Sequence, residues 1–236
     1  MSWKPKRFWK AVTVAACEGG FTVRLDARPV KTPGKALLVV PTRALAQAIA
    51  AEWDAQQGLV RPETMPFTRA ANSALEKVAP QFDEVVRLLA AYGETDHLCY
   101  RATGPAELIA RQTAAWDPVL EWCATALNAP LLAVAGVMHI AQAPASTARL
   151  HDMTAAMTPF QIAAFHDLVG LSGSLVLAFA VIHGRLAPEQ AWSLSRIDEV
   201  WQAEVWGRDE DAESLAETKR LAFHQAAAFW ASLLPN

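Results

Sequence analysis

The feature of this 236-residue chain that most constrains its fold is a change in the period of its apolar residues at Pro41. Upstream, "FTVRLD" (21–26) alternates apolar and polar residues, as a strand with one buried and one wet face must. "KAVTVAAC" (10–17) also leans towards strand, "EGG" supplies a turn between the two, and "KALLVV" (35–40) reads as a third strand. Between them, "ARPVKTPG" carries two prolines and a glycine and reads as a connection. Downstream the spacing becomes helical. In "RALAQAIAAEWDAQ", Leu45, Ile49 and Trp53 stand four apart on one face. Thr42 precedes that run, where its hydroxyl can accept a free N–H of the first turn.

The segment "QGLVRPETMP" (57–66), with prolines at 62 and 66, is the candidate boundary. Beyond it, "FTRAANSALEKVA", "QFDEVVRLLAAYG" and "AELIARQTAAWDPVLEWCATAL" are amphipathic at helical period and separated by Pro or Gly. In the last segment Leu215, Ala222, Ala226, Trp230 and Leu233 form one expected face. The run "LVGLSGSLVLAFAVI" (168–182) is too short to cross a bilayer and reads as a buried helix. The expected fold is therefore α+β by segregation. A small β-rich N-terminal domain with one helix (1–62) is followed by a larger, all-helical C-terminal domain (63–236).

Composition excludes several functions. A hydrophobic fraction of 53% against 19% charged residues excludes wholesale disorder. A net charge of −3 offers no general reservoir for neutralising nucleic-acid phosphates. The one basic cluster, Lys4, Lys6, Arg7 and Lys10 beside Trp3 and Trp9, reads as a solvated terminus. Cys17, Cys99 and Cys123 are scattered and odd in number, which suggests reduced thiols in a cytoplasm-like compartment. "MSWKPKRFWK" has no apolar signal core, so a soluble, cytoplasmic protein without membrane insertion is expected.

Two apparent motifs fail on spacing. "TPGKA" (32–36) lacks the earlier glycine and the Ser/Thr of a phosphate loop and reads as a hairpin turn. "GLSGS" (170–174) lacks the last glycine of a nucleophile elbow and sits in a helical context. None of the six histidines has zinc-ligand spacing, so no metal and no cofactor is expected.

Two stretches keep functional readings open. "YGETDHLCYRA" (92–102) offers Glu94 and Asp96 with Tyr92, Tyr100 and Arg101, side chains sufficient for proton transfer in a hydrolase or isomerase. The competing reading is helix capping plus an arginine–carboxylate pair. In "IDEVWQAEVWGRDEDAE" (197–213), a helical wheel puts Ile197, Trp201 and Val205 on one face, expected to meet the core. Glu199, Gln202, Ala203 and Trp206 fall on roughly the opposite side, and Glu204 falls near the apolar face, where burial would demand a partner. Asp209, Glu210 and Asp211 stand where the next helix begins. An outward tryptophan beside glutamate and glutamine is interface chemistry, so docking outranks catalysis here.

Together, "RFWK", "LDARPVKTPGKALLVVPTRALAQAIAAEWDAQ", "MPFTRAANSA", "YGETDHLCYRA", "AWDPVLEW" and "SRIDEVWQAEVWGRDEDAE" cover nearly the whole chain in order. The chain resembles the assembly chaperones for the α subunit of the ATP synthase catalytic head. This is the family of ATP synthase complex assembly factor two and its α-proteobacterial relatives. The resemblance implies a non-enzymatic, monomeric protein that binds unassembled α subunit and shields the surface later given to β. It also implies a bacterial cytoplasmic form, the eukaryotic relatives working in the mitochondrial matrix. Carried onto this sequence, it implies a functionally important glutamate, best matched by Glu199 with Glu204 as the alternative. Gln202 and Trp206 complete the expected partner-binding set. A general holdase, serving many clients, is the other non-enzymatic reading.

Overall fold

The computed structural model describes residues 6–235, so Trp3 and Lys4 of the basic cluster lie outside the described residues. Strands β1 (Val12–Cys17) and β2 (Gly20–Leu25) form an antiparallel hairpin with Val14 opposite Val23. β3 (Arg28–Pro29) adds to the far side of β2. Gly20 is required at the hairpin turn: its φ is +144°, and a Cβ there would lie 2.3 Å from the Val40 carbonyl oxygen. That approach is close because Phe21 and Val40 exchange two backbone hydrogen bonds, of 2.9 and 2.8 Å.

The third strand is not where the sequence suggested. It falls within the expected connection, and "KALLVV" makes only isolated bridges, Leu37 with Lys31 and Val40 with Phe21. Lys35, at φ +70°, closes a tight turn in which Thr32 N–H donates to Ala36 and Lys35 N–H to Thr32. Beyond it, Leu38 bonds to Val30 and Val40 to Phe21, so the segment divides its pairing between two neighbours. "TPGKA" is thus the hairpin turn its spacing indicated, with the Gly34 N–H held by the Glu76 carboxylate.

Helix α1 (Arg43–Asp54) begins as its sequence dictates, Thr42 Oγ1 accepting from Leu45 N at 3.1 Å. Its Leu45 and Ile49 are fully buried among Val23, Leu38 and Val40, with Trp53 packed at the edge. Val60, Met65 and Ala71 enter the same core, as do Ala164 and Phe229 from far along the chain. Helix α2 (Pro66–Ser73) has an apolar residue, Met65, at its cap position. Glu52 of α1 supplies the missing acceptor, taking N–H bonds from Phe67 and Thr68 at 2.6 and 2.8 Å. Burial pushes the Glu52 carboxyl above its ordinary pKa against those bonds.

The chain divides into two compact units, Met1–Phe82 with Thr158–Ala164 and Ala228–Asn236, and Asp83–Met157 with Phe165–Ala227. The expected division near residue 62 followed the change of period. The first unit runs further, and Val60, Met65, Ala71, Ala164 and Phe229 share the core of α1.

The second unit holds nearly all of α3 (Phe82–Ala90), then α4 (Ala106–Ala126), α5 (Pro144–Ala155) and the later part of α6 (Pro159–Ser172). It also holds α7 (Leu175–Ile182), α8 (Pro188–Leu194), α9 (Ile197–Trp206) and most of α10 (Glu210–Ser232). α7 is apolar all round and lies in the centre, with Leu175 to Ala180 buried and α4 and α8 against it. Phe165 meets Phe179 at 4.8 Å. The run 168–182, expected as one buried helix, is buried but broken. α6 ends at Ser172, Gly173 takes φ +69°, and Ser174 caps α7 by accepting from Leu177 N–H at 3.0 Å. A two-residue parallel pair, β4 (Tyr100–Arg101) with β5 (Val134–Ala135), interrupts the helical part. The architecture is α+β, a small N-terminal sheet followed by a larger helical part. Among the described residues no helix is long and apolar enough to cross a membrane.

Candidate functional site

Asp96 is fully buried. Its Oδ1 accepts from Leu98 N–H (3.0 Å) and the Ser174 hydroxyl (2.8 Å), and its Oδ2 from Val176 N–H (3.0 Å). One carboxylate therefore caps the short turn at His97–Cys99 and the first turn of α7, where free N–H groups favour an acceptor. Burial pushes its pKa up, and the hydrogen bonds from Val176, Leu98 and Ser174 oppose the rise. A raised carboxyl can mark a catalytic acid. This one has no exposed surface, and both oxygens are held by structural donors. Arg101 pairs with Asp117 at 2.8 Å and lies over the Trp116 ring. Capping and an ion pair account for the segment.

Two of the three cysteines offer no nucleophile. Cys99 and Cys123 are buried, and burial pushes both thiols up to about 12, far from thiolate at neutral pH. Among the described residues no group of three His, Cys, Asp or Glu side chains is gathered to hold a metal.

α9 has different surroundings. Gly207, at φ +98°, ends it, and none of its residues is buried. The expected core-facing row is corrected: Ile197 and Trp201 are half-buried, and Val205 is 53% exposed. What lies beneath α9 explains the difference. It lies against α4, and polar groups of α4 meet it there. The buried Gln112 amide donates to Asp198 at 2.6 Å while its oxygen accepts from Ala102 N–H at 2.7 Å. Arg111 pairs with Glu204 at 2.7 Å and lies 4.7 Å from the centre of the Trp201 ring. Glu204 is exposed rather than buried, so this pair is a surface ion pair and not the partner that burial would have demanded.

Glu199, Gln202 and Trp206 are exposed, Trp206 at 78%. Glu199 pairs with Arg196 at 2.6 Å, and Arg196 lies over the Trp192 ring. The structure brings all four expected residues to one open groove of about 1290 Å³. α9 and α10 supply its walls, and Arg111, Ala114, Ala115 and Trp192 come from α4 and α8. Ala212, Ala216 and Arg220 line it from α10. Asp209 caps α10 as its position indicated, accepting from the N–H groups of Asp211 and Ala212 at 2.9 and 3.0 Å. Arg208 pairs with Glu213 at 2.8 Å, and Arg220 with Glu189 at 2.7 Å.

The lining residues from α4, α8 and α10 were not legible in sequence, since nothing local links Arg111 to Glu204. One signal was available. Ala212 and Ala216 stand four apart, on one face of a helix. The structure corrects Leu215, expected on the packed face, which is 55% exposed.

This chain matches known proteins along its length. Protein atp12, mitochondrial, of Schizosaccharomyces pombe is 28% identical over 222 residues, covering 89% of this chain and 76% of that protein. The crystal structure of Atp12 from Paracoccus denitrificans is 49% identical with a TM-score of 0.95, covering 97% of this chain and 98% of that one. Atu1473 protein from Agrobacterium tumefaciens is 43% identical with a TM-score of 0.93, covering 98% and 87%. The fold is shared with these solved structures, and the class is that of a chaperone protein. More narrowly, the chain belongs to the ATP12 chaperone protein family, whose model matches residues 6–124.

Proposed function

We propose that this protein is an assembly chaperone of the ATP synthase catalytic head. It binds unassembled α subunit one-to-one as a monomer, in the cytoplasm, and shields the surface that α later gives to β. The docking surface is the α9–α10 groove, where Glu199, Gln202, Glu204 and Trp206 contact the partner. No cofactor or chemical step is involved.

Family membership supports the chaperone class, and one structural observation carries the site: a ten-residue helix with no buried residue, ending in a largely exposed tryptophan. Exposed apolar area of this kind marks interaction surfaces. A lone α subunit, lacking its neighbours, exposes interface that aggregates until covered. A shield must also leave, so a partly polar interface smaller than the one replacing it suits the task. Catalysis at Glu94 and Asp96 is disfavoured because Asp96 is sealed from substrate.

The test is size-exclusion chromatography of the protein mixed with folded α subunit, with light scattering of α alone as the aggregation control. A one-to-one complex and suppressed scattering are expected, with no ATP hydrolysis. Absence of co-elution would overturn the reading, and equal protection of unrelated clients would favour a general holdase.

A further inference from the structure

We infer that the occupant of the α9–α10 groove is a helical segment of the partner that inserts an apolar anchor side chain and carries lysine or arginine beside it. This rests on the reading of the groove as the docking surface and specifies what the groove recognises.

Shape gives the anchor. Ala115 of α4, Ala203 of α9, and Ala212 and Ala216 of α10 all line the groove, each contributing one methyl group. Side chains this small leave the space open for a bulky group from outside. Val200 and Trp206, 49% and 78% exposed, supply apolar surface for it to cover.

Backbone chemistry gives the helix. An extended peptide docks by adding to a sheet edge, whose free N–H and C=O groups pair with its own. Both walls here are helices, and a helix interior satisfies its own backbone groups. The walls offer no free strand edge to an extended peptide, so an occupant that satisfies its backbone internally, as a helix does, suits the groove best.

Charge gives the flanking cation. Arg111, Arg196, Arg208 and Arg220 each lie within 2.8 Å of a carboxylate, so an anionic occupant would have to break an existing pair. The unmatched charge is negative. Glu210 and Asp211, in the first turn of α10 beside the lining residues Asp209 and Ala212, have no ion pair among the described residues.

The test titrates full-length protein with three designed, fluorescently labelled helical peptides. One has a leucine face flanked by lysine, one has glutamate in place of lysine, and one has glutamine in place of leucine. The leucine–lysine peptide should bind saturably and at least about tenfold tighter than either other. Ala216→Trp, and independently Ala203→Trp from the opposite wall, should each weaken that binding at least about tenfold while circular dichroism stays unchanged. Equal affinity for the glutamate peptide, or binding indifferent to both filled variants, would overturn the inference. So would a concentration-dependent dimer abolished by Ala216→Trp, which would give the groove to a second copy. The two readings fail separately. If α subunit binds the filled variants normally while the peptide preferences hold, α docks elsewhere and the groove chemistry stands. If the filled variants lose α but no peptide preference is seen, α docks at the groove and this account of its occupant is wrong.

Discussion

Replacing Asp96 by alanine should destabilise the fold by a large amount that follows from the geometry. Leu98 N–H and Val176 N–H would each lose a carboxylate acceptor in a region without solvent access. A buried donor left unpaired costs about 1–3 kcal/mol. Ser174 loses one bond but still accepts from Leu177 N–H, so its contribution is smaller. Two orphaned donors sum to about 2–6 kcal/mol, a large share of the roughly 5–15 kcal/mol by which a domain is stable. Urea unfolding at neutral pH measures this directly. Asp96→Asn should cost less, because it keeps one acceptor oxygen and turns an amide nitrogen towards only one of the donors. The pH dependence has a definite sign. Burial raises the native carboxyl above its ordinary value near 3.8, so the native state holds this proton more tightly than the unfolded chain. The resulting stability is fully present below that ordinary value and is lost as pH rises through the raised one. The wild type's margin over Asp96→Asn should therefore grow as pH is lowered. A loss below about 1 kcal/mol for Asp96→Ala would refute the double-cap reasoning.

Glu199→Lys breaks an exposed pair with Arg196 and sets two cations together, so thermal unfolding should register only about 0.5–1 kcal/mol. Binding to α subunit should fall by several kcal/mol in a pull-down titration; outright unfolding would instead make Glu199 a structural residue. Trp206→Ala should leave stability within about 0.5 kcal/mol and weaken α binding by roughly 2 kcal/mol or more. Normal binding by both variants would place the docking surface elsewhere. In a thiol titration of native protein, half-buried Cys17 should react while Cys99 and Cys123 react only after unfolding. Equal reactivity of all three would contradict their burial.

Local signals in the sequence carried local structure well. Thr42 caps α1, and Leu45 and Ile49 face the core, because both depend on residues within two turns. "KALLVV" shows the limit. Leu38 and Val40 are buried as their apolarity required, yet a turn at Lys35 and two competing partners prevent a continuous strand. In 168–182 apolarity correctly indicated burial and hid the break, which Gly173 and Ser174 make possible. At the groove, the wheel placed Glu199, Gln202, Ala203 and Trp206 outward, and all are exposed except Ala203, which is half-buried. It misjudged Val205, because no one-helix argument can foresee that α4 offers Gln112 and Arg111 rather than an apolar row.

α10 is one continuous rod of 23 residues whose two ends live under different conditions. Between Glu210 and Leu221 nothing is buried, whereas Phe223, Ala226 and Ala227 are. Amide hydrogen exchange in such a helix should be graded. The outer turns open through local fluctuations of low free energy, and the turns around Phe223 open only with the surrounding core. One wall of the groove can therefore melt and re-form while its root stays fixed. If the groove is the docking surface proposed above, local unfolding of this wall would offer a bound client an escape route, and the complex would be short-lived even where its contacts are strong.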